Sequence, residues 1–116
     1  MTPNQPSIWP SPGQSAVARL ARFFPEAWPV RLAVTVTRKE CAREESEATV
    51  IEFGTPREAL FICCLPLEFA ERLELRSLEL CLRVEARVVA VHYHQGQAAV
   101  AARFMQPPAC WAAKEG

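Results

Sequence analysis

Few side chains in this sequence are placed to do chemistry, and each group has a small range of uses. His92 and His94 are two residues apart. On a strand, positions i and i+2 share a face, so both imidazoles could touch one metal ion. No third ligand stands at a recognisable spacing, and a partly exposed strand end accounts for the pair as well. The five cysteines form no framework. Cys63 and Cys64 are adjacent in an apolar run and therefore point to opposite faces, while Cys41, Cys81 and Cys110 are scattered. All five are expected to be reduced, core or partly buried thiols. A Cys–His hydrolase needs a thiol of lowered pKa, an imidazole within reach and an orienting group. Cys63, Cys64 and Cys81 lie in apolar segments, where burial raises the thiol pKa. The sequence has no nucleophile elbow and no glycine-rich phosphate loop, so no enzymatic activity is expected and no metal is assigned.

Arginine is the other chemically capable residue type. Eleven of the thirteen basic residues are Arg, all thirteen acids are Glu, and the formal net charge is zero. That balance argues against a general nucleic-acid surface, which needs a basic excess. Arg19 and Arg22 lie on one side of a short helical segment, and Arg57 directly follows the turn-prone stretch Gly54-Thr55-Pro56 that contains Thr55. Arg83, Glu85 and Arg87 alternate along an outward strand face, a pattern that serves solubility and cross-strand ion pairing.

The elements that must position these groups are mostly strands. Residues 1–14 carry Pro3, Pro6, Pro10 and Pro12 and are expected to form a disordered or extended tail. Ser15 can cap a short helix with Val17, Leu20, Ala21 and Phe24 at helical spacing, ended by Pro25. A first strand over 28–38 alternates, with Val30, Leu32, Val34 and Val36 on its apolar face. A charged loop over 39–47 leads to a second strand over 48–53. The third strand, 58–65, is apolar on both faces and should be central, with Ile62 largely buried in it. A fourth strand covers 71–76. The fifth, 79–93, has Leu80, Leu82, Val84, Ala86, Val88 and Ala90 on one face and becomes apolar on both over 88–91, as if it passed under another element there. Gly96 marks a hairpin into the sixth strand, 97–105, with Val100, Ala102 and Phe104 inward. Residues 106–116 form a second tail. Trp28 is expected at the core or rim; Trp9 and Trp111 either pack back on the domain or dock on a partner.

Six alternating strands within residues 15–105 make an all-β fold, a small six-stranded antiparallel barrel or sandwich, and a barrel removes the exposed edges. The N-terminus lacks a basic start and an apolar core, and the longest charge-free apolar run, residues 59–67, is too short to span a membrane. A soluble, cytoplasmic protein without a membrane span is the expectation.

Residues 49–104 resemble a PilZ domain, the bacterial receptor barrel for cyclic di-GMP. TVIEFGTPREALFICC is similar to the family's second strand, motif loop and third strand. LPLEFAERLELRSL, LRVEARVVAV and AAVAARFM are similar to its following strands. The resemblance implies a six-stranded PilZ-like barrel with a short N-terminal helix and flanking tails. It also implies a place in bacterial second-messenger signalling or motility. The family grips its ligand with an R-x-x-x-R pair before the first strand and a (D/N)-x-S-x-x-G loop between the second and third. Guanidinium forks hold phosphates bidentately and stack on guanine.

Here Thr55 falls at the family's Ser, Phe53 at its Asp or Asn and Glu58 at its Gly, while Arg19 and Arg22 are one residue closer than the pair. Phe53 offers no hydrogen bond, and the Glu58 carboxylate would repel a dianion. The resulting expectation is a regulatory or protein-interaction module with weak or no cyclic di-GMP binding. Its partner would be another protein of such a pathway or a second copy. The alternative is a functional cyclic di-GMP receptor using Arg19, Arg22, Thr55 and Arg57.

Overall fold

Alternation of apolar and polar residues decides which way each strand faces, and here it closes a cylinder. The computed structural model describes residues 15–39 and 43–106. Within them lie α1 (Ala16–Ala21), β1 (Trp28–Arg38), β2 (Glu45–Gly54), β3 (Glu58–Cys63), β4 (Arg72–Ser77), β5 (Leu82–His94) and β6 (Gln97–Phe104). The strands form a closed barrel in the order β1-β2-β3-β6-β5-β4, every pair antiparallel. The all-β fold and the six strands stand as the alternation predicts. The two tails, with Trp9, Trp111 and Cys110, lie outside the described residues apart from Gln106, and so does Cys41 in the loop between β1 and β2.

The interior is filled by Leu32, Val34, Val36, Ile51, Phe61, Leu73, Leu75, Ala86, Val88, Val100 and Phe104, with Leu67 closing one end. A second cluster forms on the outside wall. Ser15 caps α1 by accepting the Ala18 amide at 2.9 Å. The helix then lays Val17 and Leu20 on Leu60, Ala99 and Ala101, with Phe53, Ile62, Val89 and Ala90 around them. This explains why β3 is apolar on both faces: Ala59, Phe61 and Cys63 face the interior and Leu60 and Ile62 face the helix. Small residues at 99 and 101 let so short a helix approach the sheet closely.

Irregularities in the ladder redirect several side chains. On β5 the register shifts between Val88 and Ala90, so Val89 and Ala90 both turn to the helix and Val91 packs on the interior. Ala90, expected inward, therefore lies on the outer face. On β2 the register against β3 shifts between Ile51 and Phe53, leaving Glu52 as the extra residue, with Phe53 under the helix. Glu52 meets the helix cap, accepting from the Ser15 hydroxyl at 3.5 Å. The tight β5–β6 hairpin places Gln95 and Gly96 both at positive φ, the conformation of a two-residue primed turn.

Other expectations are corrected at element ends. β2 starts at Glu45, inside the charged segment, because Arg38 and Glu45 are strand partners and form an ion pair at 2.9 Å. β3 stops at Cys63, since the seam beyond it is closed by side chains. Thr49 Oγ1 donates to the Ile62 carbonyl at 2.6 Å, and the Glu47 carboxylate accepts from the Cys64 and Leu65 amides at 2.8–3.0 Å. β5 begins at Leu82; residues 78–81 form a turn with Cys81 at positive φ, which leaves Leu80 exposed. Ile62 is half-buried on the outer wall rather than sealed in the interior.

Candidate functional site

The turn between β2 and β3 is where Thr55 and Arg57 stand, and it is built as a closed hydrogen-bonded loop. The Thr55 amide donates to the Glu58 carbonyl at 2.9 Å. Thr55 Oγ1 accepts from the amides of Arg57 at 3.0 Å and Glu58 at 2.8 Å, and its hydroxyl donates to Glu58 Oε1. A threonine is suited to this because its hydroxyl can mimic a turn peptide. Pro56 supplies no amide and fixes φ in the turn. The other carboxylate oxygen, Glu58 Oε2, accepts from Arg103 Nε at 2.9 Å and Nη2 at 2.7 Å. Arg103 is delivered by register, as the direct strand partner of Glu58. The Phe104 amide donates to the Arg57 carbonyl at 2.8 Å, tying β6 to the turn.

Thr55 and Glu58 are 2% and 6% exposed. The Thr55 hydroxyl donates once and accepts twice, which exhausts its ordinary capacity. A ligand could use this hydroxyl only by displacing Glu58. Phe53 lies among the helix-facing apolar side chains. It forms part of the anchor for α1 and cannot read a base edge.

Arg57, Arg19 and Arg22 are all exposed. Arg57 lies in the turn, whereas Arg19 and Arg22 lie at the C-terminal end of α1. Thr55 and Arg57 are thus joined through backbone and hydroxyl, and the two helix arginines belong to a separate element. Glu58 and Arg103, which complete the turn, carry no sequence signal of their pairing; only the β3–β6 register makes them partners.

The other candidate groups are placed as follows. His92 and His94 stack with ring centroids 6.5 Å apart on the exposed face of β5. Among the described residues, no three His, Cys or Glu side chains gather around a common point. Cys63 is buried, and burial, reinforced by the Glu47 carboxylate, pushes its thiol up to about 11. Cys64 and Cys81 are exposed in turns, correcting the expectation that they are buried strand thiols. Cys64 and His94 line one open depression of about 300 Å³ beside the β5–β6 hairpin, with no hydrogen bond between them.

The charged wall is more ordered than an alternating pattern suggests. Glu74, with Arg83 Nε at 2.7 Å and Arg76 Nη2 at 3.7 Å, is held below the usual carboxylate range, chiefly by the Arg83 hydrogen bond. Glu52 is shifted the other way, its carboxyl raised by burial despite Ser15 and Arg31. No helix among the described residues is long and apolar enough to cross a membrane. No family model matches the chain, and no curated protein matches it in sequence.

Proposed function

We propose that this protein is a PilZ-like barrel that works as a non-enzymatic regulatory or protein-interaction module, with weak or no affinity for cyclic di-GMP. The observation that carries the reading is the Thr55–Glu58–Arg103 network. The turn that would hold the nucleotide in the resembling family is filled from within by a buried carboxylate with partners on both oxygens. Opening it would leave Glu58 or Arg103 without its partner, and an ionised group stripped of its hydrogen bonds costs more than an ordinary polar one. The reading places the protein in bacterial signalling or motility, in the cytoplasm, with another protein or a second copy as partner.

Titration with cyclic di-GMP by calorimetry tests this directly. No heat is expected at high ligand concentration. Micromolar binding that disappears in the Arg19→Ala, Arg22→Ala double variant would overturn the reading in favour of a receptor using Arg19, Arg22, Thr55 and Arg57.

A further inference from the structure

Ser15 is the point where the preceding chain meets the barrel. It lies against β2, where its hydroxyl donates to Glu52 at 3.5 Å. Its backbone is extended, with φ −68° and ψ 158°, so the chain leaves the helical path there. Back along the outer face of β2 from Glu52 come Val50 and Ala48, both exposed. Ala48 pairs with Thr35, and Thr35 pairs with Arg76 on β4, so three strands share one outer row. An open groove of about 330 Å³ follows this row. It is lined by Ala33, Thr35 and Ala48 from β1 and β2, and by Arg76, Leu78 and Glu79 from β4 and the turn after it.

The groove is open because its β1 and β2 residues are small. Leu78, 88% exposed, gives it an apolar side. Among the described residues the barrel is closed, so an incoming segment finds no free strand edge to pair with. An occupant must dock through side chains. A flat aromatic ring suits small residues best, since it buries a large area and orders only two side-chain torsions.

Residues 1–14 carry one such ring, Trp9, with Ile8 beside it and no charged side chain among the fourteen. Six residues separate Trp9 from Ser15, and Pro10 and Pro12 fix φ at a value suited to an extended chain. At about 3.1 Å per residue those six residues reach about 19 Å. The four strand residues from Glu52 to Ala48 cover about 13 Å. Trp9 therefore reaches the groove on a short tether. A tether of this length supplies an effective concentration on the order of millimolar, so a contact too weak to hold a separate peptide is populated within one chain. Trp111 is less well placed, because it follows β6, which stands opposite β1 in the ring of six strands.

We infer that the outer groove over Ala33, Thr35 and Ala48 is the docking site for Ile8-Trp9 of the same chain, with the indole against Leu78. Glu79 supplies an acceptor for the single indole donor. The wall does not require this cover to fold, so the contact opens and closes without unfolding the barrel. The inference goes beyond the interaction-module reading and does not depend on it.

NMR of the full chain tests the docking, with the Trp9 indole identified by its loss in Trp9→Ser. Nuclear Overhauser contacts are expected from the Trp9 ring to the methyls of Ala33, Ala48 and Leu78. Trp9→Ser should shift the amides of Ala33, Thr35 and Ala48, while those of Leu60 and Ala99, under α1, stay in place. Ala48→Glu, at an exposed position, puts a charge in the groove and should abolish the contacts and return the indole to the position of an exposed ring. A Trp9 ring without contacts to these methyls in the parent protein would overturn the assignment. Contacts seen only between differently labelled molecules would overturn it in favour of a second copy. Groove amides that move in Trp111→Ser but not in Trp9→Ser would overturn it in favour of the other tail. The cyclic di-GMP titration reads none of these signals, so this inference and the reading above can fail separately.

Discussion

Two walls of the same barrel are finished in opposite ways. On β3, β6 and the middle of β5, the outward positions are Leu60, Ile62, Val89, Ala90, Ala99 and Ala101, and α1 lies over them. On β1 and β2 the outward positions are Arg31, Ala33, Thr35, Ser46, Ala48 and Val50, all exposed. With Arg76 and Leu78, several of these small residues line an open groove of about 330 Å³. Leu32, Val34 and Val36 of β1 enter the same interior cluster as Ala59, Phe61 and Val100, so on these strands the difference lies in the outer alternation. A strand that is apolar on both faces requires a cover, and a strand with small polar residues outside does not. The sequence around Ser15 supplies that cover with one turn and a half of helix, held by a cap that also reaches the β2 irregularity through Glu52.

The sharpest way to break this comparison is to delete one outward side chain from each wall. Leu60 is fully buried under α1, and Leu60→Ala should destabilise the protein by roughly 2–5 kcal/mol in denaturant unfolding. Val50 is 41% exposed on the bare wall, and Val50→Ala should stay within about 0.5 kcal/mol. Similar losses for both would mean that the helix contributes no more cover than solvent does.

This contrast also marks how much was legible in the sequence. Alternation in residues 30–36 marked the inward face of β1, the larger Val100 and Phe104 marked that of β6, and the double apolar pattern of 88–91 signalled an overlying element. The extra residue on β5 was not legible, because Val88, Val89, Ala90 and Val91 satisfy either phase; only pairing with Ala101 and Ala102 decides it. The candidate site divides in the same way. Thr55 and Glu58 are visible as a turn hydroxyl and a carboxylate three residues later. Arg103 becomes their partner only through a contact 45 residues away, which no local spacing encodes.

A smaller effect sharpens the role of the cap. Ser15 accepts the Ala18 amide and donates to Glu52, so it ties the helix to its own first turn and to β2 at once. Ser15→Ala should cost about 1 kcal/mol, within the usual span for a lost N-cap. Hydrogen exchange should show faster opening at Val17–Leu20 while the β1 amides keep their protection. Uniform loss of protection across the barrel would show that α1 and the sheet unfold only as one unit.

The smallest effect separates the helix cap from the charged face of β4 and β5 by pH. Burial raises the carboxyl of Glu52, beside the helix cap, above its ordinary value of 4.5, so the folded state binds its proton more readily than the unfolded chain does. Stability therefore rises as pH falls through the raised value toward 4.5. Glu74, on the charged wall, is displaced downward by the Arg83 hydrogen bond, so its contribution is present above 4.5 and is lost as pH falls through the lowered value. The two groups act in successive windows with opposite signs. Glu52→Gln should flatten the stability profile above 4.5 and leave the acid side unchanged, and Glu74→Gln should do the reverse. Denaturant midpoints measured across the acid range resolve the two. If Glu74→Gln changed the higher window instead, the Arg83 pair would not be what holds that carboxylate down, and the charged wall would have to be ordered by other contacts.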